Sequence, residues 1–287
     1  MTRPDSPRRT SQALPGRNGA VIGAGIVLGF IAMLALVGPW LVLWIHGFGY
    51  ATQDIGNALA GPSWTHPLGT DMLGRDVFVR LLHGARVSLL VGILGTAIAF
   101  LIGVAYGSTA GYVGGRFDEV MMRIVDVLYA LPTLLLMVIL LALFERSLLL
   151  LLLALGSISW LTMARIVRGQ VLRVKTEVFV EAARATGLST PGVIVRHVVP
   201  NAVGPILAYA TLTIPSVILD EAFLSFLGLG IPPPEASLGV LVEQGITAMS
   251  VRPLLLVSPA VLMAVTIVML NVLSDALRDT RSPTTGR

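Results

Sequence analysis

The sequence predicts an all-α integral membrane protein with six transmembrane helices. Of its 287 residues, 55% are hydrophobic and only 13% are charged, and the mean hydropathy is +0.84. A soluble domain of this length needs a charged surface, so these apolar residues must face lipid as well as one another. The sequence contains no cysteine, which excludes disulfides, thiolate metal sites and thiol nucleophiles.

The individual spans follow from the distribution of charge. A hydrocarbon core of about 30 Å requires roughly 20 apolar residues of helix, and six runs of at least 18 residues lack Asp, Glu, Lys and Arg. The helices inside these runs are expected to cover about 21–44, 87–110, 126–144, 148–166, 203–225 and 254–274. Glu145 and Arg146 separate the third and fourth spans with almost no loop, which predicts a tight hairpin. The first apolar stretch is too long for a cleaved signal peptide, so we expect a retained helix.

The basic residues predict the topology. With the N-terminus inside, 15 of the 20 Lys and Arg residues lie on one side of the membrane and 5 on the other. Because cytoplasmic segments carry the excess of basic residues, both termini and the loop at about 167–202 are predicted to be cytoplasmic. Residues 1–19 and 282–287 then form tails around a permease domain at 20–281. The net charge of +4 is explained by this distribution, and no nucleic-acid partner is expected.

Several kinds of chemistry are excluded. The only lysine, Lys175, has no glycine-rich sequence before it, so the chain has no phosphate-binding loop for ATP. The four histidines are scattered without metal-ligand spacing. No serine lies in a Gly-x-Ser-x-Gly context. We therefore expect no catalytic residue, metal or cofactor on this chain.

The most specific motif lies between the fourth and fifth predicted spans. It reads Glu-Ala-Ala-Arg-Ala-Thr-Gly over 181–187, then nine residues, then His-Val-Val-Pro ending at Pro200. We expect a short helix over 177–186 with the small Ala182 and Ala183 on one face, ended by a positive φ at Gly187. A second helix should follow at 190–191, where Thr and Pro fit its start. Helix signals alone fit both a connector on the membrane surface and an element that docks against a partner.

This motif resembles the signature loop of the permease subunits of binding-protein-dependent ABC importers. The match is at Glu181, Ala182, Ala183, Gly187 and Pro200, while two positions depart from the pattern, with His at 197 for the usual Ile and Val at 199 for Leu. In that family the loop docks into a groove on the ATPase subunit. The resemblance therefore favours the docking element and implies type I ABC importer permease architecture.

Further blocks resemble the C-type subunit of the oligopeptide/dipeptide/nickel branch. They are His-Pro-Leu-Gly-Thr-Asp over 66–71, Gly-Arg-Asp-Val over 74–77, Leu-Ser-Phe-Leu-Gly-Leu-Gly over 224–230, and Asp-Ala-Leu-Arg-Asp over 275–279. The resemblance covers about 66–281. Apolar residues at 77–82 opposite Arg75 and Arg80 suggest a short helix in the outer interface. We interpret the nearby Asp residues as caps and partners of Arg75 rather than as a site.

The resemblance also implies partners and a mechanism. The implied partners are a B-type permease forming a heterodimer with this chain, two ATPase subunits that carry ATP and Mg, and an extracytoplasmic solute-binding protein. All of them would work at the bacterial inner membrane. The cargo would be a di- or oligopeptide, with nickel or another small solute as the alternative, moved by alternating access. A secondary transporter would place carboxylates or histidines in mid-span within inverted repeats, and a membrane enzyme would show converging catalytic groups. Neither pattern is visible.

Two packing features bear on mechanism. Gly103, Gly107, Gly111 and Gly115 repeat every four residues and form a stripe of small residues that lets another helix approach closely. Prolines inside the predicted spans either kink their helices or line the pathway. They are Pro132, Pro205 and Pro215.

Two acidic residues, Asp220 and Glu221, lie near the outer end of the fifth span. Acidic residues at membrane depth suggest a functional site. The position near the interface favours simple hydration of both carboxylates, and the alternative is a substrate role for them, with Glu221 as a candidate pathway or gating residue.

Overall fold

The computed structural model describes residues 17–280, and over that range it contains ten α-helices, with one long connection at 47–76. Most of the two predicted tails lies outside the described residues, although residues 17–19, expected in the N-terminal tail, already belong to the first helix. The helices are α1 (Arg17–His46), α2 (Val77–Val113), α3 (Gly115–Ala130), α4 (Thr133–Leu143), α5 (Leu148–Val174), α6 (Val178–Ala185), α7 (Thr190–Val193), α8 (Val199–Phe226), α9 (Leu238–Ala248) and α10 (Leu254–Thr280).

Five continuous helical segments of the described chain are long and apolar enough to cross a membrane. They contain α1, α2, α5, α8 and α10. The predicted third span at 126–144 is not one helix: α3 and α4 meet at an angle of 79°. Leu131 is extended, with φ −78° and ψ 140°, because the ring of Pro132 disfavours helical geometry in the residue before it. The predicted third span is therefore a broken pair of helices rather than one continuous helix.

The second span begins ten residues earlier than predicted. Residues 77–82 are the first turns of α2 rather than a separate interfacial helix. Arg80, expected on a polar surface, is only 1% exposed. Asp76 begins the helix, since its carboxylate accepts a hydrogen bond of 2.7 Å from the backbone N–H of Val79. At 37 residues, α2 is about 55 Å long and extends beyond the hydrocarbon core.

The segment at 227–252 contains the short helix α9. Ser237 caps it by accepting a hydrogen bond of 3.1 Å from the Val240 backbone N–H. The predicted connection between the third and fourth spans is as tight as expected, with α4 ending at Leu143 and α5 beginning at Leu148. Segments 49–76 and 227–252 lie together at one end of the bundle, which we call the 49–76 end. Segment 177–200 lies at the opposite end of the bundle, which we call the 177–200 end.

The closest helix contact joins α2 and α5. A Cβ added at Gly103 would lie 2.5 Å from Cγ of Met163, and one at Gly111 would lie 3.0 Å from the carbonyl oxygen of Arg168. A Cβ at Gly107 would overlap the carbonyl oxygen of Ala164. Three successive turns of α2 thus touch the backbone of α5. The fourth glycine of the predicted stripe, Gly115, is not part of this contact, since it begins α3 after α2 has ended.

We predict that Gly107→Leu separates α2 from α5 and destabilises the protein by about 1–3 kcal/mol, because overpacking a close contact forces the backbone apart. Thermal unfolding of the purified chain in detergent measures this loss. Gly29→Leu on α1 is the control, since nothing lies within 4 Å of a Cβ at that position. Equal stability of the two variants would contradict the prediction.

Candidate functional site

The 177–200 segment folds as a compact element, which we call the 177–200 element. Helix α6 ends at Ala185, and two residues later Gly187 has a φ of +82°, which turns the chain at an angle that residues with a Cβ rarely adopt. Ser189, rather than the predicted Thr190, precedes α7, and Pro191 lies in its first turn. A π-helical turn at Ile194–Val198 then joins α7 to α8. The predicted helix-turn-helix is therefore present.

One side of this element is fixed to the helix bundle by an apolar core. Val180, Val193 and Val198 are each 0% exposed, and they pack in one cluster with residues of α2, α5 and α8. The other members of this cluster are Tyr112, Met163, Val167, Val171, Ala183, Ile194, Ala202, Ile206 and Ala210. Arg184 adds a polar link, since its Nε donates a hydrogen bond of 2.8 Å to the Tyr112 hydroxyl. Displacement of the element must therefore move the ends of three spanning helices.

The opposite side of the 177–200 element is exposed and partly apolar. Val178 is 79% exposed, Phe179 is 41% and Val195 is 68%. Glu181 and Ala182 also lie on the exposed side, and so does Pro200 in the first turn of α8. Ala183 does not share that side as expected, because consecutive residues of a helix point about 100° apart, and its side chain is buried in the core.

A polar groove opens between α3, α4, α5 and α8. It has a volume of about 310 Å³. Its wall on α8 consists of Tyr209, Thr213, Ser216 and Asp220 together with Leu212. The other lining residues are Tyr129, Thr133, Ile158, Ser159 and Thr162. Seven hydroxyl groups and a carboxylate thus line a depression among spanning helices, where lipid-facing surfaces are apolar.

The three prolines named in the sequence analysis differ in their position and exposure near this groove. Pro132 is exposed at the break between α3 and α4, next to the groove residue Thr133. Pro205 is exposed and Pro215 is buried, and both lie inside α8, which remains one helix from Val199 to Phe226. None of the three lines the groove itself.

Glu221 is not hydrated, contrary to expectation, and it does not line the groove. Its side chain is 0% exposed. The hydroxyls of Ser225 and Ser237 each donate a hydrogen bond of 2.6 Å to its Oε1 atom. Because Ser237 also caps α9, this carboxyl ties α8 to the start of α9. The environment of Glu221 is that of a structural link between helices.

Sequence inspection missed the groove, although a signal was present. Tyr209, Thr213, Ser216 and Asp220 follow one another at spacings of four, three and four residues. That spacing puts them on one face of a helix. The search for charged residues in mid-span overlooked hydroxyl groups, which carry no charge and do not interrupt a hydrophobic run.

At the 49–76 end, ion pairs fold the long connection onto the bundle. Arg75 Nε lies 2.7 Å from Asp71 Oδ2, and Nε of the buried Arg80 lies 3.4 Å from the same oxygen. Arg80 also donates a hydrogen bond of 3.1 Å to Gln244 Oε1 on α9. Asp76 accepts at its second oxygen from His66, 2.8 Å away. The interpretation of these Asp residues as caps and ion-pair partners is confirmed.

A second polar cluster ties the same connection to the segment before α9. The rings of Tyr50 and His83 stack with centroids 3.7 Å apart, and Glu235 accepts from both, at 2.9 Å and 2.6 Å. Burial and the adjacent Glu235 raise the pKa of Tyr50. Burial alone would raise the pKa of Glu235, but its bonds to His83 and Tyr50 lower it overall. The carboxylate is therefore ionised at neutral pH, and its hold on Tyr50 is lost only as the pH falls through that lowered pKa.

These features define a multi-pass helical membrane subunit with a polar groove inside the bundle and a rigid, partly apolar element at one end. The chain belongs to the family of binding-protein-dependent transport system inner membrane components, whose pattern matches residues 99–285.

Relatives and solved structures agree with this assignment. The chain is 42% identical to the oligopeptide transport system permease protein OppC of Bacillus subtilis over 92% of this chain and 85% of the relative. It is 44% identical to the dipeptide transport system permease protein DppC of the same organism, over 92% and 81%. The fold resembles that in the inward-facing MetNI methionine ABC transporter, with a TM-score of 0.56 and 19% identity over 71% of this chain and 96% of that one. The resemblance to C-type subunits and the type I permease architecture are thereby confirmed, and the chain is a multi-pass inner-membrane protein.

We predict that Arg80→Ala loosens the 49–76 end, because Gln244 loses its buried donor and Asp71 one of its two cations. Breaking a buried ionic contact costs about 3 kcal/mol. Limited proteolysis within 49–76 and thermal unfolding of the purified chain measure the effect. Arg116→Ala, at an exposed position of α3, should leave both unchanged, and a protease-resistant, fully stable Arg80→Ala variant would contradict the prediction.

Proposed function

We propose that this chain forms half of a heterodimeric pathway for the import of di- or oligopeptides, with a B-type permease as the other half. Relatives that cover more than 90% of the chain are named as oligopeptide and dipeptide permeases, which supports this cargo. The groove supports it too, since it offers hydroxyls and one carboxylate without a histidine. Nickel, the alternative cargo, prefers imidazole and other nitrogen ligands, so this donor set suits a peptide better than a metal ion.

The proposal rests on the observation that the 177–200 element has one exposed apolar side and one side buried against the helix bundle. Its exposed apolar side, with Val178, Phe179 and Val195, suits a contact with another protein, while its buried side shares a core with α2, α5 and α8. A connector resting on lipid would need no such rigid anchorage. In our proposal each of two ATPase subunits contacts such an element on one permease.

ATP and Mg would be bound by those ATPase subunits and not by this chain. The single lysine, Lys175, is used at the junction of α2 and α5, where its ammonium group donates a hydrogen bond of 2.8 Å to the carbonyl oxygen of Gly111. An extracytoplasmic binding protein would deliver the peptide to the opposite side of the membrane. ATPase subunits and a binding protein are partners expected of the importer class to which the family belongs.

The mechanism we propose is alternating access. Closure of the ATPase pair would push the 177–200 element, and the shared core would pass that movement to the ends of α2, α5 and α8. The groove would then turn toward the binding protein, with the B-type permease closing its open side. The break at Pro132 and the prolines at 205 and 215 are the points where we expect α3–α4 and α8 to bend.

We predict that Glu181→Lys and Gly187→Val uncouple ATP hydrolysis from transport. The first reverses a charge on the exposed side of α6, and the second forces a β-branched residue to a φ of +82°, at a cost of about 1–2 kcal/mol. Both variants should accumulate normally yet lose peptide uptake and the stimulation of ATPase activity by loaded binding protein in proteoliposomes.

Matched controls separate coupling from general damage. Glu145→Lys reverses an exposed charge at the far end of the bundle, and Gly228→Val introduces similar strain there at a φ of +73°. Gly187→Asn should retain more activity than Gly187→Val, because Asn tolerates positive φ better. Wild-type uptake by both Glu181→Lys and Gly187→Val would show that the element is a passive connector.

We further predict that both termini and the 177–200 end are cytoplasmic, because of the excess of basic residues on that side. The absence of cysteine allows a direct test with Ser11→Cys and Gln53→Cys, the second at an exposed position of the opposite end. In intact cells an impermeant thiol reagent should label only position 53, and after permeabilisation it should label both. Labelling of position 11 in intact cells would reverse the topology.

A further inference from the structure

The polar groove contains one carboxylate without a partner. Asp220 is partly exposed to the groove, and within residues 17–280 it has no hydrogen-bond or ion-pair partner. Apart from Glu119, which is exposed near the 177–200 end of α3, the other carboxylates of these helices are paired. Asp118 binds Arg168 at 2.6 Å, Asp126 binds Arg165 at 2.8 Å, and Glu221 accepts from two serines. Since an unpaired charge at membrane depth is costly and ionisable residues there mark functional sites, the isolation of Asp220 points to a ligand.

The groups around Asp220 indicate the chemistry of that ligand. Along α8 the groove presents the hydroxyls of Ser216, Thr213 and Tyr209, and α5 presents Ser159 and Thr162. No cationic side chain lines the groove. The nearby Arg165 is held by Asp126 and by the ring of Tyr129, 4.3 Å from its centroid. An anion would find no charge complement here, whereas a cation bearing hydrogen-bonding groups would find both a carboxylate and hydroxyls.

We propose that Asp220 binds the ammonium group of the transported peptide while the hydroxyls along α8 contact its amides. This inference rests on the proposed function and deepens it by assigning a substrate-contacting residue. The stripe from Tyr209 to Asp220 spans eleven residues of helix, or ~16 Å. An extended peptide advances ~3.5 Å per residue, so the stripe accommodates a peptide of about four to five residues. Asp220 lies nearer the 49–76 end of α8, where an ammonium group entering from the binding protein would meet it first.

The assignment distinguishes Asp220 from its neighbour. Glu221 is fully buried with two hydroxyl donors on Oε1, so it has no access to a solute in the groove. The two residues differ by one position and hence by about 100° around the helix. Only Asp220 shares a face with Ser216 and Thr213.

The test uses the absence of native cysteine on this chain. Ser216→Cys places a thiol on the exposed wall of the groove, one turn from Asp220. The complete importer in lipid nanodiscs, with any cysteine on its partners replaced, is treated with an ammonium-bearing methanethiosulfonate reagent, and the rate of modification is measured. Trialanine, Nα-acetyl-trialanine and ammonium chloride are compared as protecting ligands, so that a peptide ammonium group is distinguished from a free inorganic cation.

We expect trialanine to slow modification while the acetylated peptide at the same concentration does not. Adding Asp220→Asn should weaken protection by trialanine about tenfold or more, as expected for the loss of a charged hydrogen bond. Glu145→Gln, outside the groove, should change nothing, and Asp220→Glu should restore part of the protection. Equal protection by both peptides, no protection by either, or protection unchanged in Asp220→Asn would overturn the inference.

Uptake of radiolabelled trialanine by the same importer in proteoliposomes separates this inference from the proposed function. If the wild-type importer takes up peptide and Asp220→Asn does so with unchanged KM and kcat, the assignment of Asp220 is wrong and the function stands. If ammonium chloride protects as well as trialanine and no peptide is taken up, the groove binds simple cations and the proposed cargo is wrong.

Discussion

The close approach of α2 to α5 is the contact on which the rest of the structure depends. Glycine at three successive turns of α2 brings its surface against the backbone of α5, with Met163 and the carbonyl oxygens of Ala164 and Arg168 directly opposite. Helices in lipid gain little from hydrophobic burial against each other, so small residues that allow backbone contact are a main source of their association. The resulting pair forms a rigid spine. The core of the 177–200 element packs on one end of it, and the groove opens along α5.

Much of this architecture could be predicted from the sequence, because charge-free runs report directly on the bilayer. The errors occur where a charge is present but paired. The sequence predicts Arg80 on the polar face of a surface helix, yet Asp71, Gln244 and Tyr50 contact it and allow α2 to continue through it. Pairing depends on residues far apart in sequence. A scan for charged residues therefore predicts a helix that is too short wherever a buried charge is paired. The break at Pro132 was visible as a proline, but its angle depends on packing.

The candidate sites divide in the same way. The 177–200 element could be predicted because its turn residues are local signals. Gly187 follows the end of one helix, and Pro191 lies in the first turn of the next. Its two-sidedness could not be predicted fully, since the direction of Ala183 depends on where α5 and α8 lie. The groove was missed although its hydroxyls repeat at helical spacing, because hydroxyl groups are also common on helix-packing faces. Only the three-dimensional arrangement shows that they converge on an open depression with an unpaired carboxylate.

Asp220 and Glu221 show why position along a helix does not determine the state of a carboxylate. Both lie at the same depth of α8, and they differ only in direction. Glu221 points at α9, where two serine hydroxyls accommodate it and fix the helix that covers the 49–76 end. Asp220 points into the groove, where nothing in the described part of the chain neutralises it. A structural carboxylate and an unpaired one can therefore be adjacent, because a turn of 100° separates a buried environment with two hydroxyl donors from an open one. Glu221 fixes α8 against α9, and this fixed position of α8 keeps Asp220 directed into the groove.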